Sequence, residues 1–136
     1  MTNSKIETSR NILNSARGFL RIEQDGLRAL EAQLDEHFVT AVEWLLACRG
    51  KVVVTGMGKS GHIGRKLSAT LSSTGTPSLF LHPGEGVHGD LGVVARQDVV
   101  ILLSNSGMTE EMLQLLPSLR SIGCQTVSIT RDPSSP

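Results

Sequence analysis

From Lys51 onward the chain alternates short apolar runs with amphipathic stretches, and this alternation predicts an α/β fold: an open three-layer α/β/α sandwich on a parallel sheet with right-handed crossovers. The run "DVVILLS", Asp98–Ser104, agrees with it. That run is apolar throughout, as a strand is when both faces of its sheet are covered. The placing of glycine agrees too, because glycine-rich loops follow the first three apolar runs.

The chain begins with a different pattern. Residues 4–48 read as helix. Ile6, Leu13, Leu20, Leu27, Leu34 and Ala41 recur along it, and Ile12, Ala16, Leu30, Phe38 and Leu45 fill the flanks of one apolar stripe. A single globular helix seldom runs that far. A break is expected near Asp35–His37, with Asp25–Gly26 as the other place for it. The stripe packs either on the rest of the domain or on another subunit. The organisation is therefore an N-terminal helical segment, 1–48, and an α/β domain, 49–136.

Within that domain "KVVVTG" is a β-branched strand ending in glycine, and "GHIGRKLSATLSSTG" is a helix with Ile63, Leu67, Thr70 and Leu71 on one face. "PSLFLH" is a second strand, opened by Pro77 where a missing N–H costs little. "HPGEGVHGDLGVV" reads as a glycine-rich connection to the third strand. "EEMLQLLPSLRSIG" is a helix with Met112, Leu115, Leu116 and Leu119 inward and Gly123 past its end. Pro117 falls inside it and should kink or restart it. "QTVSIT" is a fourth strand and "RDPSSP" a loop. No helix follows to cover a face of the sheet, so the chain reads as a fragment or as a subunit completed by something else.

Composition narrows the function classes. Thirteen basic residues balance thirteen acidic ones, which leaves no excess charge for nucleic acid or a membrane surface. Aromatic residues make up 3% and tyrosine is absent, which argues against base-stacking platforms. The longest apolar runs are about five residues, far short of the ~20 a membrane span needs. Cys48 and Cys124 form no CxxC, and "MTNSKIETSR" has no apolar signal core, so a reducing, cytoplasmic setting is expected. Partners should be small molecules or other protein chains.

Ligands of open α/β sheets bind beyond the carboxyl ends of the strands. Three loops lie there: Thr55–Gly64, His82–Gly92 and the stretch "SNSGMTEE" from Ser104. The first contains G-x-G-x-x-G at Gly56, Gly58 and Gly61, and Gly58–Lys59–Ser60 looks like a Walker A ending. Walker A needs a glycine where Val53 stands, and a dinucleotide site needs an acid at the end of strand two, which here ends "LFLH". The third loop offers hydroxyls at Ser104, Ser106 and Thr109, tight backbone at Asn105 and Gly107, and the head of the following helix. Together these make an anion site, with phosphate the usual occupant. A helix cap at Thr109 accounts for one hydroxyl, not three. Lys59, His88 and Glu111 each come from a different strand-end loop, and a base and an acid beside a phosphate clamp suit proton transfer on a sugar phosphate. No cluster has structural-zinc spacing.

"SNSGMTEE" resembles the S-x-S-G-x-[ST]-x-[DE] loop of sugar isomerase (SIS) domains. "GMGKSGHIGRKLSATLSSTGTPSLFLHPGEGVHGDLG" resembles, more specifically, the signature of D-arabinose 5-phosphate isomerases within that family. The resemblance runs from about Ile22 to Pro133. It implies a flavodoxin-like three-layer sandwich and an aldose–ketose isomerase that interconverts D-ribulose 5-phosphate and D-arabinose 5-phosphate through an enediol, for lipopolysaccharide (Kdo) or capsule synthesis. It further implies a phosphate loop at Ser104, Asn105, Ser106, Gly107 and Thr109, and catalytic Lys59 and Glu111. Gly58 and Ser60 beside Lys59, together with Gly75, Thr76 and His88, would contact substrate. No cofactor is required, and His82 becomes a contact for inhibitory zinc. A homotetramer is implied, which favours subunit contact for the N-terminal helix. Members continue past the region of "RDPSSP" with another catalytic glutamate, a histidine and often CBS domains, so these 136 residues alone are expected to bind phosphosugar poorly or to be inactive. A sugar-phosphate sensor and a hexulose-phosphate isomerase are the competing readings.

Overall fold

The computed structural model describes the backbone of residues 3–136, with side chains from Thr8 onward. It divides into one compact unit up to Val39 and a second from Thr40.

The first unit is built on α1, Asn3–Glu31. The helix runs unbroken through Asp25 and Gly26, where the Arg28 guanidinium meets the Asp25 carboxylate at 2.9 Å. The break falls just ahead of the expected place, over residues 32–35. There the Asp35 carboxylate accepts from the His37 N–H at 2.9 Å and starts α2, Glu36–Leu46, which crosses into the second unit. The apolar stripe of α1 is exposed at Ile12, Leu13, Phe19, Leu20, Leu27 and Leu30.

The second unit carries a four-stranded parallel sheet in the order β2-β1-β3-β4, with β1 Val52–Gly56, β2 Ser78–Leu81, β3 Val99–Leu103 and β4 Gln125–Ile129. Val54 pairs with Phe80 on one side and Ile101 on the other, and Ile101 pairs in turn with Val127. Alternation along the central strands feeds two cores. Val52, Val54, Ile101 and Leu103 meet Leu67 and Leu71 of α3, Gly58–Ser73, together with Leu45 and Phe80. Val53, Val100, Leu102 and Leu81 meet Met112, Leu115 and Leu119 of α5, Glu110–Ile122. Each fully buried aliphatic side chain contributes roughly 1.5–3 kcal/mol. The central strands are therefore held between helices on both faces, which is the three-layer α/β/α sandwich.

The structure corrects two local expectations. The segment after β2 is not a plain connection: it forms a short helix α4, Pro83–Val87, and a 3-10 turn, Asp90–Val93. Pro83 suits the first helical position, and the His82 ring accepts the Gly84 N–H at 3.2 Å as an N-cap. Gly86 lets α4 lie against α5, since a Cβ there would stand 3.0 Å from Leu115. Nor does Pro117 restart α5, which runs through it as one helix. Proline removes one hydrogen bond there, and burial of Met112, Leu115 and Leu119 holds the helix on either side. α5 ends at Gly123, in the left-handed region at φ 75°. β2 and β4 are the edges of the sheet, and β4 is mostly exposed along its length, with Ile129 55% exposed.

Candidate functional site at the switch point of the sheet

β1 and β3 are neighbours whose crossovers leave in opposite directions, β1 toward β2 and β3 toward β4. A crevice opens beyond their carboxyl ends, where doubly wound sheets bind ligands. It holds an open cleft of about 420 Å³ lined by Lys59, Ser60 and Ile63 of α3, Leu103 at the end of β3 with Ser104 and Asn105 after it, and Ile129, Thr130 and Arg131 at the end of β4.

The glycines of the first loop serve close packing. A Cβ at Gly61 would stand 2.7 Å from the carbonyl oxygen of Gly56, and one at Gly64 would stand 2.9 Å from the Phe80 ring. The head of α3 can press onto β1 only without these side chains, and this brings Lys59 to the crevice.

The Ser104–Thr109 loop is organised from inside. Ser104 is 7% exposed, and its Oγ accepts the Gly107 N–H at 3.1 Å and shares a hydrogen bond of 3.0 Å with Thr109 Oγ1. Ser106 Oγ accepts the Met108 N–H at 3.1 Å. Gly107 has φ 69°, and the space a Cβ would take is filled by the Ser135 side chain. Thr109 stands at the N-cap of α5 with φ −66° and ψ 121°, but its side chain does not cap the helix. Its carbonyl accepts from Met112 and Leu113 at 3.1 and 3.0 Å. The first-turn N–H groups of Glu110 and Glu111 lie where a helix offers no internal acceptor, so they are suited to an anion.

Of the residues read from the sequence, Lys59, Ser60, Ser104 and Asn105 share the cleft lining, with Gly58 beside Lys59 and Ser106, Gly107 and Thr109 on the same loop as Asn105. Glu111 is half-buried in the first turn of α5, and His88 is exposed at the end of α4; neither lines the cleft. His82 is spent at Nδ1 on its cap, and among the described residues no group of three or more His, Cys, Asp or Glu could hold a metal ion. Gly75 and Thr76 form the turn from α3 into β2, with Gly75 at φ 96° and the Thr76 N–H bonded to Leu71 at 2.9 Å. That turn is at the amino-terminal edge of the strands, opposite the cleft. Thr130 and Arg131 are cleft residues outside the sequence reading; the strand-end rule applied to "QTVSIT" would find them.

The amino-terminal edge carries charge of another kind. Asp98 is 1% exposed, and Lys51 Nζ meets its Oδ2 at 2.7 Å. The Lys51 and Ala95 N–H groups complete its partners at 2.9 and 2.8 Å. Burial pushes the carboxyl pKa up, but these hydrogen bonds and the Lys51 charge outweigh it and hold it below its ordinary value. Nearby, burial and the Asp98 charge raise the Cys124 thiol. Among the described residues no helix is long and apolar enough to cross a membrane.

A family model described as "SIS domain" matches residues 45–136. The arabinose 5-phosphate isomerase KdsD of Pseudomonas aeruginosa is 49% identical over 93% of this chain and 39% of its own length. The KdsD of Salmonella typhi is 53% identical over 85% of the chain and 35% of its own length, so the chain spans well under half of these curated relatives. The solved structure of E. coli CFT073 c3406, a complex with arabinose 5-phosphate, superposes with a TM-score of 0.84 at 44% identity, covering 99% of this chain and 69% of that one. The sheet is parallel, its cleft lies at the switch point beside a hydroxyl loop, and the family match spans every one of these elements: the chain belongs to the SIS domain family.

Proposed function

We propose that the chain belongs to an aldose–ketose isomerase that interconverts D-ribulose 5-phosphate and D-arabinose 5-phosphate. The observation that carries the reading is the Ser104–Thr109 loop: hydroxyls and the head of α5 beside a cleft that presents Lys59. The phosphate docks on this loop, and the distal carbonyl reaches Lys59, which stabilises charge growing on the enediolate oxygen. Isomerisation moves a proton between C1 and C2 with its compensating shift between the oxygens, so it requires a base and an acid rather than a cofactor. Glu111 and His88 are assigned to proton transfer and hydroxyl positioning by resemblance, and both stand off the cleft lining. The 136 residues by themselves therefore bind phosphosugar weakly and turn it over little or not at all. Further assignments rest on the resemblance and on similarity to the KdsD relatives. These are a cytoplasmic enzyme supplying Kdo or capsule synthesis, a homotetramer, substrate contacts at Gly75 and Thr76, which would have to serve a site other than this cleft, inhibitory zinc through His82, and CBS domains elsewhere in the protein. The exposed apolar stripe of α1 supports its use in subunit contact.

A sugar-phosphate sensor is the second reading, favoured by the position of Glu111 and His88 outside the cleft; a hexulose-phosphate isomerase is the third. The test joins residues 1–136 to the remaining length of the P. aeruginosa relative and follows D-ribulose 5-phosphate by NMR. Appearance of D-arabinose 5-phosphate is expected. Binding without conversion would favour the sensor, and conversion of hexulose phosphates alone would favour the third reading.

A further inference from the structure

We infer that Arg131 is a second anion-binding group of this cleft, gripping the phosphate of a sugar phosphate from the loop that follows β4; the inference rests on the phosphosugar reading above. Three observations carry it. The Arg131 N–H donates to the Asn105 carbonyl at 3.1 Å, which ties the residue directly to the hydroxyl loop. Arg131 and Lys59 line the same cleft, and among the described residues no carboxylate lines it with them. The one acid beside it in sequence is occupied, because the Asp132 carboxylate accepts from the Ser134 hydroxyl at 2.7 Å and from the Ser134 N–H at 2.9 Å. Those two hydrogen bonds hold the Asp132 pKa low.

The cleft lining therefore carries two cations, no anion, and the small polar side chains of Ser60, Ser104, Asn105 and Thr130 beside apolar Ile63, Leu103 and Ile129. A phosphate on the hydroxyl loop would find its counter-charge in Arg131, whose planar guanidinium offers two donors in a fixed fork where an ammonium acts as a point charge. The division of labour follows: Lys59 faces the reacting end of the sugar, and Arg131 helps the hydroxyl loop select phosphorylated sugars over free ones.

The experiment titrates D-arabinose 5-phosphate and inorganic phosphate separately into residues 1–136 joined to the remaining length of the P. aeruginosa relative, as wild type and as Arg131→Gln, Arg131→Lys and Thr109→Val, by calorimetry. Arg131→Gln is expected to bind both about tenfold more weakly, as for a lost hydrogen bond to a charged group. Arg131→Lys recovers part of the loss, and added salt narrows the gap between wild type and Arg131→Gln. Arg131 is exposed, so unliganded thermal unfolding should not change. If Arg131→Gln matches wild type while Thr109→Val binds weakly, the Arg131 assignment is overturned and the phosphosugar reading stands. If wild type binds neither phosphate compound, both are overturned.

Discussion

The two edges of the sheet use charge in opposite ways. At the amino-terminal edge Lys51 faces buried Asp98, and each carboxylate oxygen has protein partners. At the carboxyl edge Lys59 and Arg131 line an open cleft with hydroxyls and, among the described residues, no carboxylate. The lysine at the first edge is matched by the fold, so it contributes to stability. The cations at the second edge are left for a ligand. β1, Met57 and Gly58 separate the two lysines in the chain, yet their partners assign one to structure and the other to binding.

The strongest way to break this contrast is at Asp98. Asp98→Asn removes the charge that Lys51 is paired with in a mostly buried setting, and should lower stability by about 3 kcal/mol in denaturant unfolding. Phosphosugar affinity measured below the unfolding transition should not change. The pH dependence follows from the depressed carboxyl. Asp98 binds a proton more readily unfolded, at its ordinary 3.8, than folded, so its contribution is complete above that value and is lost as pH falls through the lower folded one. Acid unfolding of the wild type should steepen below about pH 4, and Asp98→Asn should flatten that slope.

Thr109→Val is the counterpart at the other edge. It removes a hydroxyl from the loop and the partner of Ser104, and should weaken phosphosugar binding by about 2 kcal/mol in calorimetry while leaving acid unfolding as it was. Gly61→Ala links the edges through the fold. A methyl group against the Gly56 carbonyl pushes α3 off β1, so thermal unfolding should show a loss of about 1–2 kcal/mol, with affinity falling as Lys59 moves. The smallest effect is expected at Glu110, which is exposed at the head of α5 and accepts from Gln114 at 3.3 Å. Glu110→Gln should cost about 0.5 kcal/mol of stability and slightly raise phosphate affinity, because a negative charge leaves the helix head.

Much of this is legible in the sequence, and where it is not the reason is physical. β1 and β3 announce themselves because strands covered on both faces read as near-continuous apolar runs, with Thr55 the one polar side chain in β1. β4 is legible from its β-branched residues, although it is largely exposed in the structure. α4 is hidden because glycine and proline dominate it, and a proline start plus a histidine cap outweigh poor intrinsic propensity over one turn. The hydroxyl loop can be read from the residues, but the part played by Ser104 cannot. Three hydroxyls in a row look equivalent in a sequence, whereas in the structure the buried one braces Gly107 and Thr109. Arg131 escapes a local pattern because its tie to Asn105 is a backbone hydrogen bond between distant residues. Asp98 escapes for the same reason, since its partner Lys51 is remote in the chain.

The central claim is that the carboxyl edge, and not the amino edge, receives the phosphate of a sugar phosphate. Amide NMR of the labelled protein, residues 1–136 joined to the remaining length of the P. aeruginosa relative, titrated with D-arabinose 5-phosphate tests it most directly. The account predicts saturable shifts at Lys59, at Ser60, across Asn105 to Glu111 and at Arg131, with Gly50, Lys51 and Asp98 unmoved. Shifts concentrated at Lys51 and Asp98, or none on saturation, would contradict it.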